Sequence, residues 1–258
     1  MIFAQDIQIN SDYSAVEIIE ANRISSSVNN SSLVEYNDTP SAIYNHEIKK
    51  PKVITPQTNI ISPIAKMYSD RLREGTANER KYIMENINFT INNSPKSGLI
   101  YTDKNITDSL FAIIDEDISK LKKPSKRKLK LREEIKNNKK LSEKQVQFAL
   151  TLSEKEIAEQ NKVLAFYTLA TIQNLTYKYI TKTTGLQPKL HDSDVINKII
   201  SEAANNKDEQ LRAAAIGSLY MIAKPEYNNE LETIFQNALS DNSKVVKDMA
   251  EEALENIK

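Results

Sequence analysis

Acid–base or metal chemistry in this chain would have to come from a short inventory of side chains. The densest candidate is His191-Asp-Ser-Asp194, one imidazole beside two carboxylates. A metal site or a proton relay needs several such groups converging. The only other histidine, His46, lies far away in the sequence, so the run makes a poor ligand set. Its simpler use is to start a helix, with Asp192, Ser193 or Asp194 as cap and the acids at the positive end. Asp115-Glu-Asp117 would suit a divalent cation, but beside Leu110, Ile114, Ile118 and Leu121 it reads as the hydrated face of a helix. Phe148, Phe166, Tyr167, Tyr177 and Tyr179 form an aromatic-rich stretch expected to be core and groove lining. Cysteine is absent, which removes disulfides, thiolate ligands and cysteine nucleophiles together. The four glycines (75, 98, 185 and 217) are scattered, so no glycine-rich phosphate loop exists. No catalytic residue, metal ligand or cofactor is assigned, and the chain is expected not to be an enzyme.

Binding chemistry is better represented. Between Lys120 and Lys144 stand twelve Lys/Arg against three Glu, a local net charge of +9. Because Lys+Arg and Asp+Glu are equal at 35 each over the 258 residues, the molecule must be electrically polarised. Lys126, Arg127, Lys128, Lys130 and Arg132 crowd the front of one expected helix, whose apolar members are Leu129, Leu131 and Ile135. Such a patch would attract nucleic acid, an anionic lipid surface or an acidic protein, unless neighbouring acids neutralise it as a solvated helix face. No aromatic lies between Lys120 and Lys144, so stacking on single-stranded bases has no support within the stretch.

The elements that position these residues are expected to be helices. Residues 1–60 hold a Ser/Asn-rich run and prolines at 40, 51 and 56, and they read as an irregular, partly disordered arm with one short helix over Tyr13–Arg23. From Ile61 the pattern turns helical. Pro63 suits a first helical position, and Thr76…Glu79, Ser142…Gln145 and Ser153…Glu156 have capping-box spacing. An apolar stripe from Ile106 to Leu121 predicts a helix stopping at Pro124, and Gly185 and Pro188 break the chain before its last block. No apolar run approaches the ~18 residues of a membrane span, and Met1–Asp6 lacks a basic leader pattern, so a cytoplasmic location is expected.

The last block repeats. Shifted by 35 residues, Ile196 falls on Leu231, Ile199 on Ile234 and Ala203 on Ala238. Leu211 then falls on Val246, Arg212 on Lys247, Ala215 on Ala250, Leu219 on Leu254 and Ile222 on Ile257. A period of this size built from helix–turn–helix units is the mark of a solenoid, since one pair cannot bury its apolar face alone. Leu211-Arg-Ala-Ala-Ala215…Leu219 and Val246-Lys-Asp-Met-Ala250…Leu254 resemble the second helix of a HEAT repeat. The resemblance covers residues 195–224 and 229–257, with Ser243 and Lys247 standing where the pattern has an acid and an arginine. It implies an all-α superhelix of the armadillo-like kind over residues 61–258. It also implies that Arg212 and Lys247 bridge neighbouring units by pairing with acids between helices; Asp208, four residues before Arg212, has the spacing for a pair. The function implied is a scaffold that binds another protein, with nucleic-acid binding through residues 120–144 as the alternative. Alkylpurine glycosylases and bilin-lyase subunits share such repeats, but the lack of Trp and Cys removes an aromatic and a thiol common in such sites.

Overall fold

The computed structural model describes residues 62–137 and 139–257, so the expected arm over residues 1–60 lies outside the described residues. These residues form α-helices joined by turns and 3-10 segments, with no strand among them. In order the helices are α1 (Pro63–Glu74), α2 (Ala77–Asn93), α3 (Pro95–Gly98), α4 (Lys104–Asp115), α5 (Lys126–Lys136), α6 (Glu143–Leu150), α7 (Glu154–Thr184), α8 (Asp194–Asn205), α9 (Glu209–Met221), α10 (Asn228–Ala238) and α11 (Lys244–Asn256). No helix among the described residues is long and apolar enough to cross a membrane.

Local chemistry sets most boundaries. Thr76, Ser142 and Ser153 each accept from the backbone N–H three residues on, and Glu79, Gln145 and Glu156 reach back to the cap, closing reciprocal boxes at α2, α6 and α7. Gly185 ends α7 at φ +67°, a left-handed conformation that β-carbon crowding makes costly for other residues.

Helix α4 stops at Asp115, not near Leu121 as the apolar stripe predicts. Three consecutive acids at the negative end of a helix oppose its dipole. The Asp117 carboxylate instead accepts from the Ser119 N–H, closing a turn, and the Lys162 ammonium donates to the Ile114 and Glu116 carbonyls.

The organising element is α7, 31 residues long. It buries Ala165, Phe166, Thr168, Leu169, Ala170 and Ile172, positions too close together to share one helix face. The helix is therefore covered on several sides, by α2, α4 and α9. Helix α9 is enclosed in the same way: every residue from Ala213 to Leu219 is buried, between α7, α8 and α11. Gly217 sits where a Cβ would approach the Met249 sulfur and the Tyr167 hydroxyl at 3.3 Å each, which accounts for a glycine within this helix.

In the 35-residue register Leu211, Ala215, Leu219, Val246, Ala250 and Leu254 are all buried. Two equivalences hold only in part: Ile199 and Ala203 are buried but Ile234 and Ala238 only partly so, and Phe235 fills the core beside Ile234. The link into α10 contains a 3-10 turn whose Tyr227 is buried and donates its hydroxyl to the Pro188 carbonyl, and α10 presents a face one residue further round.

Candidate binding surface

Helices α5 and α6 pack chiefly on each other. Their buried residues Leu131 and Ala149 lie outside the main hydrophobic cluster, which leaves the pair as a separate hairpin. Ser125 caps α5 by accepting from the Lys128 N–H. The first turn that follows holds Lys126, Arg127 and Lys128 and no acid. Cations there oppose the helix dipole, so the stability of α5 itself does not explain them.

The five cations of this helix divide into two kinds. Lys128 is buried to 9% exposure, and its ammonium donates to the Thr151 carbonyl at 2.8 Å. Arg132 donates to the Ala149 carbonyl at 2.7 Å and pairs with Glu156 in the first turn of α7. Both cations thus satisfy the negative C-terminal end of α6, a favourable placement. The Arg132 guanidinium, helped by hydrogen bonds from Ser153, holds the Glu156 carboxyl down at about 2. Lys126, Arg127 and Lys130 are exposed, and among the described residues no carboxylate lies within 4 Å of them.

Apolar side chains are exposed on the same hairpin: Leu129 at 49%, Phe148 at 44% and Leu150 at 62%. The Phe148 ring lies 5.8 Å from the Arg127 guanidinium and 5.1 Å from the Lys128 ammonium. An aromatic absent from residues 120–144 is therefore brought to the basic face by the next helix. The only sequence signal for it is the Ser142 box, which starts α6 close enough to fold back on α5.

The remaining charged motifs are dispersed or structural. Asp115 pairs with Lys198 at 3.2 Å and Glu116 with Arg80 at 2.7 Å, while Asp117 closes its own turn. Among the described residues no three His, Asp or Glu side chains are grouped to hold a metal ion. His191 joins Asn197 at 2.7 Å and Glu230 at 3.2 Å, and Ser193 is the residue that caps α8, accepting from the Ile196 N–H. His46 lies outside the described residues. Arg212 makes a two-pronged contact with Asp241, at 2.7 and 2.8 Å, and also donates to the Asn206 carbonyl. Its partner is therefore the acid of the following turn and not Asp208, which is occupied in capping α9. Lys247 is half-buried near Asp241, whose carboxyl it helps Arg212 hold below the usual range.

No protein family, curated protein or solved structure matches this chain.

Proposed function

We propose that the chain is a non-enzymatic binding module in which HEAT-like helix pairs, stacked as an α-solenoid, carry a basic helical hairpin for an acidic, amphipathic segment of another protein. The division among the α5 cations carries the reading. Lys128 and Arg132 are used within the fold, whereas Lys126, Arg127 and Lys130 have no carboxylate partner and stand on a hairpin that also exposes Leu129, Phe148 and Leu150. Cations interleaved with exposed apolar side chains suit a ligand that offers carboxylates and apolar groups together. The Arg212–Asp241 contact between successive helix pairs supports the repeat reading, because it ties one unit to the turn of the next.

Phe148 favours a second reading, single-stranded nucleic acid, since a half-exposed ring beside two cations suits base stacking. The two are separated by fluorescence anisotropy with an acidic amphipathic peptide, single-stranded RNA and duplex DNA at two salt concentrations. The proposal expects peptide binding that survives moderate salt and is lost when Leu129 and Leu150 become Ser. Tight RNA binding with a steep salt dependence and no response to those two changes would favour the second reading.

A further inference from the structure

A groove of about 690 Å³ runs between α4, α7 and α8, away from the basic hairpin. Its size falls within the range of small-molecule sites, roughly 300–1,000 Å³. Phe111, Ile180 and the edge-to-face pair Tyr177–Tyr227, with ring centroids 5.8 Å apart, supply apolar wall. Four lysines and four aspartates line the same space, and most are committed. Lys104 pairs with Asp108 at 2.6 Å, and Lys198 pairs with Asp115 while lying 4.1 Å from the Phe111 ring centroid. Asp192 accepts from the Lys189 backbone N–H, and Asp194 sits in the positive first turn of α8.

Lys224 differs from the other half-buried charges of the groove. Its ammonium donates to Asn174 Oδ1 at 2.7 Å and lies 5.7 Å from the Tyr177 ring centroid. Among the described residues no carboxylate lies within 4 Å of it. The Asn174 amide is held in that orientation by its own donation to the Met221 carbonyl, at 2.9 Å. Glu226, the acid on the same turn, is engaged by the Tyr177 hydroxyl. Burial, and then the neighbouring Lys178, hold the Lys224 ammonium below the usual lysine range. Glu226 offsets this only in part from beyond ion-pair distance, so a half-buried cation whose hydrogen-bond acceptor is neutral stays incompletely compensated, and an incoming anion would complete it.

We propose that this groove binds a small organic anion, its carboxylate or phosphate on Lys224 and its flat apolar body against Tyr177 and Ile180. The site is independent of the hairpin and requires nothing of the reading given for it.

The test uses the whole chain labelled with carbon-13 at lysine Cε and titrated with benzoate, inorganic phosphate and benzylamine. Benzoate is expected to shift the Lys224 resonance saturably, phosphate to bind more weakly, and benzylamine, with the same ring and opposite charge, not to bind. By calorimetric titration, which needs no label at residue 224, Lys224→Gln should weaken benzoate at least tenfold at an unchanged melting temperature, and Lys224→Arg should retain most of the binding. Absence of benzoate binding, equal binding to Lys224→Gln, or equal binding of benzylamine would overturn the proposal. Phosphate binding as tight as benzoate would overturn the part assigned to the aromatic wall.

Discussion

Replacing Arg132 by Met should loosen the basic hairpin and little else. The guanidinium joins three carriers of negative charge, the Ala149 and Thr151 carbonyls and the Glu156 carboxylate, with 23% of the side chain exposed. A hydrogen bond to a charged group contributes ~1.5–3 kcal/mol, and bonds made by one group are not additive. After the change Glu156 keeps its bonds from the Ser153 N–H and hydroxyl and Thr151 keeps Lys128, so only the Ala149 carbonyl loses its donor. The expected cost is therefore near the middle of that range, about 2 kcal/mol. Because α5 and α6 pack mainly on each other, the cost falls on local opening of the hairpin and not on the α7–α9 core. At ~1.4 kcal/mol per factor of ten, amide exchange over residues 126–150 should quicken roughly 30-fold while α9 amides keep their protection. Unchanged exchange in the hairpin would mean that Arg132 does not hold it. Equal acceleration in α9 would mean that the hairpin is part of the main cooperative unit.

Other outcomes follow from the same contacts. Changing Lys126, Arg127 and Lys130 together to Gln should leave thermal stability within about 0.5 kcal/mol of the parent, as expected of exposed charges, and a larger loss by calorimetry would place them in the fold. Leu219→Ala opens a cavity at a fully buried position and should cost ~2–5 kcal/mol in a denaturant titration; a loss under about 1 kcal/mol would show that the layer relaxes around it. Glu156 has its folded pKa lowered from the ordinary 4.5 to about 2, so its contribution is complete above 4.5 and is lost as pH falls toward 2. Hairpin protection measured across that window should fall with pH in the parent and stay flatter in Glu156→Gln; parallel profiles would remove Glu156 from the explanation.

The sequence carried the local grammar of this fold well. Three capping boxes, Pro63 and Gly185 mark helix ends without any tertiary information, because caps satisfy backbone groups through residues a few positions away. The 35-residue register located the four C-terminal helices and the buried faces of α9 and α11, but not the Phe235-for-Ile234 exchange, which depends on how the Tyr227 turn enters α10. The end of α4 was missed because apolar periodicity continues to Leu121, while the chain breaks at an electrostatic conflict that periodicity does not register. Charge counting found the basic stretch but not its division. Lys128 and Arg132 turn inward only because the C-terminus of α6, 17 to 23 residues away, offers carbonyls to receive them. Beyond the Ser142 box that starts α6, no local motif announces Phe148 or Lys224, because both acquire meaning from neighbours on other elements.

The most direct test of the binding account is amide exchange on the whole chain with and without an acidic amphipathic peptide, in the parent and in the Lys126, Arg127 and Lys130 triple Gln variant. The account predicts slowed exchange confined to residues 126–150 in the parent and no slowing in the variant. Protection elsewhere with the hairpin unchanged, or equal protection in the variant, would contradict it.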